Sequence, residues 1–156
     1  IWQLSASMQS ALDDYDALLE PILQGRSRFV LGSRTLGAGD WKVRRFAHGA
    51  LLGLALNVAQ VGFAKTFNLL YQQQTSDVNT MFKVFRRSCL DTVTLTSDGF
   101  ELDIELVCKL VRAGHAPLEV PVNYVARDFS EGKKIRFWRD AWPGYAAFFK
   151  YRWPGA

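Results

Sequence analysis

Residues 46–71, FAHGALLGLALNVAQVGFAKTFNLLY, form the longest apolar stretch of the chain and constrain its fold most. The stretch contains no proline and is far too long for a single strand, so it predicts a helix. His48, Asn57, Gln60 and Lys65 interrupt it, so it lacks the clean run of about 18 apolar residues that a membrane-spanning helix needs. Such a helix must cover an apolar face. Packing against a sheet and lying in a membrane interface are both open readings.

Shorter segments flank it. Ile1–Leu4 reads as the tail of a strand. Asp13 or Asp14 can cap a helix through DYDALLEPILQG, with Leu18, Leu19, Ile22 and Leu23 as its apolar face and Gly25 as its stop. SRFVLGSR is a strand-type run ending in a turn, and TLGAGDWKVRR reads as a mobile loop. TMFKVFRR predicts a strand anchored by Met81, Val84 and Phe85, with the side taken by Lys83 left open. GFELDIELVCKLVRAG has the spacing of an amphipathic helix ended by Gly114. APLEVPVNYVAR, with Pro117 and Pro121, suits an edge or irregular strand. IRFWRDAWPGYAAFFKYRW is an aromatic amphipathic segment, expected to break at Pro143-Gly144. Strands alternating with helices predict an α/β fold with a largely parallel sheet flanked by helices.

The 156 residues suit one domain or part of a larger one. A net charge of +4 is too small by itself to argue for nucleic acid. The charge is uneven, however. Asp13, Asp14, Asp16 and Glu20 gather near the start, while Arg127, Lys133, Lys134, Arg136, Arg139, Lys150 and Arg152 gather towards the end among aromatic residues. That basic, aromatic end suits either an anionic membrane surface or a solvated basic face over buried rings. Cys89 and Cys108 form no metal or redox motif, and Cys108 sits in an apolar helical run as a buried thiol.

Three ordered stretches carry a family resemblance. They are DDYDALLEPILQGRSRFVLGSR (13–34), SDVNTMFKVFRRSCL (76–90) and GFELDIELVCKLVRAGHAPLEVPVNYVARDFSEGKKI (99–135). In order and spacing they resemble the second half of a family-2 glycosyltransferase of the dolichyl-phosphate or polyprenyl-phosphate sugar synthase type. The resemblance implies a Rossmann-like GT-A domain. Residues 1–140 would be its second half, with the N-terminal nucleotide-binding half absent from this sequence. Residues 141–156 would form an aromatic, basic membrane-surface segment, and the protein would sit peripherally at the cytoplasmic face of a membrane such as the bacterial plasma membrane.

The same resemblance implies roles for particular residues. Relatives carry Asp-x-Asp after the strand that ends at Leu4, and this sequence reads Ser5-Ala6-Ser7-Met8-Gln9. Gln9 fits the pattern, but the two serines replace carboxylates in a site meant for Mg²⁺ or Mn²⁺, hard cations that prefer anionic oxygen. Arg34, Arg44, Arg45 and Gln9 are the implied ligands of the nucleotide-sugar diphosphate. Asp77 and Arg127 are the implied catalytic residues, and Arg127, Lys133 and Lys134 would hold an acceptor lipid phosphate. Of the acidic residues 101, 103 and 105, Glu105 best matches the family carboxylate, and Asp103 is expected on another face of the helix. The implied reaction is inverting sugar transfer from a UDP- or GDP-linked donor to polyprenyl phosphate, weak or lost because of Ser5 and Ser7. The competing reading is a non-catalytic relative that binds lipid or nucleotide, or serves as a scaffold. Neither reading needs nucleic acid.

Overall fold

The computed structural model describes residues 2–4, 14–38, 50–99, 101–123 and 137–153. In chain order the elements are β1 (Trp2–Leu4), α1 (Tyr15–Leu23), β2 (Phe29–Ser33), α2 (Arg34–Ala38), α3 (Ala50–Tyr71), β3 (Lys83–Phe85), α4 (Glu101–Arg112), β4 (Leu118–Pro121) and α5 (Phe137–Lys150). A short 3₁₀ turn, Arg87–Leu90, follows β3.

β2 is apolar and buried along its whole length, so it takes an inner place in a four-stranded sheet of order β1-β3-β2-β4. β4 pairs with it in parallel, Val30 opposite Leu118 and Ser33 opposite Pro121. β3 runs antiparallel to both β2 and β1. Three strands therefore share one direction and β3 opposes them. The sheet is mixed, with two of its three pairings antiparallel, where a largely parallel one was expected. The cause lies before β3. Ser76 and Asp77 return to the Ser33–Arg34 end of β2, so the strand that follows starts there and runs back.

Period-two alternation divides the sheet into two faces. Phe29, Leu31 and Phe85 join the larger cluster with Phe67 and Tyr71 of α3, Ile104, Val107 and Leu110 of α4, and Phe148 of α5. Phe29 and Phe85 meet edge to face at 6.4 Å. Val30 and Val84 look the other way, onto Leu18 and Ile22 of α1. Leu23, expected on that apolar face, is exposed instead. Asp14 occupies the N-cap position of α1 without a side-chain capping bond. Its carboxylate accepts from the backbone N–H and side-chain amide of Asn123 at 2.8 and 3.0 Å, tying α1 to the chain after β4.

Two expectations about helix ends are corrected. The start of the presumed loop TLGAGDWKVRR is helical, as part of α2. α5 continues through Pro143-Gly144. A proline inside a helix loses one hydrogen bond, but Tyr145 and Phe148 beyond it pack on Phe63 of α3 and hold the helix together. A Cβ on Gly144 would sit 3.8 Å from Phe63 and 3.9 Å from Ile104, an ordinary contact. Beyond it, Ala147, Phe148 and Tyr151 are buried in the larger cluster, while Trp142, Phe149 and Trp153 stay exposed. The long helix α3 runs parallel to α5. Thr66 and Tyr145 share a hydrogen bond, and further along the Tyr71 hydroxyl donates to the Phe148 carbonyl. No helix among the described residues is long and apolar enough to cross a membrane. Cys89 and Cys108 are both buried free thiols.

Two glycines test this packing in opposite senses. A Cβ on Gly37 would lie 2.0 Å from the Val122 carbonyl oxygen, whereas one on Gly62 would meet nothing within 4 Å. Gly37→Ala should therefore lose about 3 kcal/mol, because a backbone atom cannot swing aside. Gly62→Ala, in exposed helix, should gain about 1 kcal/mol. Urea midpoints of the two variants check both signs.

Candidate functional site

The C-terminal end of β2 gathers residues that are distant in sequence. Arg34 and Asp77 are 43 positions apart and form a two-pronged ion pair. Nε donates to Oδ2 at 2.6 Å and Nη2 to Oδ1 at 2.7 Å. The Arg34 backbone N–H donates to the same carboxylate at 3.1 Å. Both side chains are buried, Asp77 completely. Charges so deep survive only when matched and hydrogen-bonded.

Around the pair lies a polar shell. Ser33 and Ser76 hydroxyls are 2.6 Å apart, and Thr35 donates to Ser76 at 2.8 Å. Glu119 of β4 accepts the backbone N–H of Ser76 at 2.9 and 2.8 Å and that of Asp77 at 3.0 Å. The strand partner of Glu119 is Leu31, so β4 brings this carboxylate to the same end of the sheet.

Lys83 extends the cluster along β3. It is fully buried, its ammonium donating to Asp103 at 2.7 Å and to the Thr80 carbonyl. Burial pushes its pKa down. Asp103, and more weakly Asp77, pull it back up, while Arg34 adds to the lowering. Arg34, Asp77, Lys83 and Asp103 are therefore one electrostatic unit. Its parts come from the first turns of α2 and α4, from the start of β3 and from the segment before β3.

Of the residues singled out from sequence, Arg34 and Asp77 are brought together. Ser5, Ser7, Gln9, Arg44, Arg45, Arg127, Lys133 and Lys134 lie outside the described residues, as does His48. Lys83 takes the face of the larger cluster. Its partner is Asp103, which lies, as helix spacing predicts, on a different face of α4 from Glu105. Glu105 stands apart from the site. It is buried and accepts from the N–H groups of Thr96 and Ser97, the Thr96 hydroxyl and Lys109. Burial pushes its pKa up, but the bonds from Lys109, Ser97 and Thr96 outweigh that and hold it at about 2. A lysine inside the apolar run TMFKVF was the sequence signal for Lys83, since a buried ammonium demands a carboxylate. The sequence did not say which one.

No group of three His, Cys, Asp or Glu side chains able to hold a metal occurs among the described residues. Asp77 is engaged by Arg34, Asp103 by Lys83, and Glu119 by two backbone N–H groups. These carboxylates are thus already spent on internal donors and do not fit Mg²⁺ or Mn²⁺. Compared with protein-family models, curated proteins and solved structures, the chain has no significant match.

Arg34→Met should cost about 3–5 kcal/mol by stranding Asp77, and Arg34→Met/Asp77→Leu should cost less than the single change, as a denaturation cycle would measure. Glu105 supplies a pH signature. Its folded pKa lies below the ordinary value of 4.5, so its contribution is present above pH 4.5 and lost as pH falls towards 2. Glu105→Gln should lose about 1–3 kcal/mol at neutral pH and flatten the stability profile over that window. Thermal melts across pH read both effects.

Proposed function

We propose that this chain is a glycosyltransferase-type domain of the polyprenyl-phosphate sugar synthase kind, poorly active or inactive as it stands. One observation carries this reading: residues from all three family-like stretches converge on one buried polar cluster. Arg34 comes from the first, Asp77 and Lys83 from the second, and Asp103 and Glu119 from the third.

In this reading, Arg34 and Asp77 are positioning residues. Their paired charges fix the end of β2 against the start of β3, the rim on which the donor would rest. The nucleotide-sugar diphosphate would be met by Arg44 and Arg45, with Gln9. The acceptor phosphate would be met by Arg127, Lys133 and Lys134, whose cations suit a phosphate anion. The acceptor oxygen attacks the anomeric carbon while the bond to the diphosphate breaks on the opposite face, inverting the centre. A phosphate acceptor is already anionic near neutral pH, so no strong general base is needed. Catalysis would rest on alignment and charge neutralisation. Mg²⁺ or Mn²⁺ would normally neutralise the leaving diphosphate, and Ser5 and Ser7 remove the carboxylates that would hold it. Peripheral attachment to a membrane is supported by the exposed Leu54, Val58 and Leu69 of α3 and by Trp142, Phe149 and Trp153.

The committed state of every carboxylate in the described cluster favours a second reading: a non-catalytic relative that binds nucleotide or lipid or serves as a scaffold. A transfer assay separates the two. The longest obtainable form of the protein is given polyprenyl phosphate, Mn²⁺ and UDP- or GDP-sugars, and the lipid product is read by mass spectrometry. Product from Ser5→Asp/Ser7→Asp, with little from the unaltered chain, is the expected result. Silence from both would leave the binding role.

A further inference from the structure

The end of the sheet where β2 begins and β3 ends lies about 20 Å along β2 from the Arg34–Asp77 pair. Four exposed arginines gather there, Arg26 and Arg28 ahead of β2 and Arg86 and Arg87 after β3. The Arg86 backbone N–H donates to the Arg28 carbonyl at 2.9 Å, one rung beyond the pairing of Phe29 with Phe85. Arg28 and Arg86 therefore stand directly opposite each other. Alternation puts both on the face of Val30 and Val84, towards α1. Like charges so placed across an antiparallel ladder are destabilising.

The candidate site matches each buried cation with a carboxylate, Arg34 with Asp77 and Lys83 with Asp103. This end of the sheet does not. Arg28 Nη2 donates to the Ser88 hydroxyl and Arg86 Nη2 to the Ile22 carbonyl, both at 2.8 Å, so each guanidinium is held by a neutral oxygen. Arg87 has no side-chain hydrogen bond or ion pair among the described residues. Only Glu20 pairs with any of the four, 3.8 Å from Arg26, and both of those side chains are more than half exposed. The positive charge is positioned but not neutralised.

The residue types indicate what would neutralise it. A guanidinium is a rigid planar fork that matches a carboxylate through two hydrogen bonds, whereas a diffuse anionic surface is served equally by lysine. The patch holds four arginines and no lysine. Beside it, Leu23 stands exposed at the end of α1 as an apolar contact point. Arginine is enriched and lysine depleted at interfaces between proteins. The net charge of +4 is too small to favour nucleic acid instead.

We propose that Arg26, Arg28, Arg86 and Arg87, with Leu23, form a docking surface for an acidic segment of a partner protein, at the pole opposite the candidate site. Carboxylates of the segment take the open N–H groups of the guanidiniums, and one of its apolar side chains covers Leu23. The surface is independent of whether the chain transfers sugar.

The test is fluorescence anisotropy on the longest obtainable form of the protein, with a labelled Glu-rich peptide carrying one leucine. Labelled oligouridylate and sedimentation with phosphatidylserine vesicles form parallel arms. The peptide should bind, and more weakly as salt rises. Arg28→Gln and Arg87→Gln should each weaken it about fivefold or more. Lys65→Gln, which removes an exposed cation from α3, should leave it unchanged. The melting midpoint of Arg28→Gln should not fall, because an opposed charge is gone. No peptide binding, undiminished binding by Arg87→Gln, an equal loss with Lys65→Gln, or tighter binding to the oligouridylate or the vesicles overturns the proposal. So does a lower midpoint for Arg28→Gln, which would make the opposed pair a structural one.

Discussion

The buried ion pair between Arg34 and Asp77 holds the topology together. It brings the chain after α3 back to the end of β2, and β3 can then only run down against β2. The inverted strand in turn carries Lys83 into the interior, where it requires Asp103 and so sets the start of α4. Glu119 reaches the same place from β4 and accepts the backbone N–H of Asp77. Strand direction, helix docking and polar cluster thus follow from one buried charge and the groups needed to match it.

Such a cluster is a weak source of net stability, since desolvating each ion offsets most of the attraction. Its value lies in geometry. Mispaired arrangements would strand a charge in the interior, so the pairs select one register among several that the apolar residues would tolerate. Glu105 does similar work at a distance, fastening the 96–97 backbone to α4. The two hydrophobic clusters supply the bulk of the burial, and the charged pairs say where the pieces meet.

The exposed Leu54, Val58 and Leu69 of α3 and the unpaired Gln60 amide on its otherwise apolar inner face depart from the usual pattern of a surface helix. Both departures fall on the element that the sequence made most conspicuous. Local rules tend to fail where a surface or site serves something other than folding. Exposed Leu54, Val58 and Leu69 and the unpaired Gln60 amide are two such departures on one helix.

Much of the fold was legible without coordinates. A short apolar run marked β2, alternation marked β3, helical spacing marked α1 and α4, and length with the lack of proline marked α3, because periodicity and chain breakers are local properties. Arg34 and Asp77 stood out through the motif-like stretches around them. What the sequence could not express was partnership. Asp103 rather than Glu105 faces Lys83, because helix spacing says which residues share a face but not which face meets the sheet. β3 runs antiparallel because Asp77 returns to Arg34, a contact across 43 residues. α5 passes through Pro143 because Tyr145 and Phe148 pack on α3, although proline alone predicts a break. Local chemistry was set by the sequence. Strand direction, the pairing of buried charges and the unsatisfied amide of Gln60 were decided only when distant segments met, because burial changes the energy of a polar group far more than its sequence neighbours do.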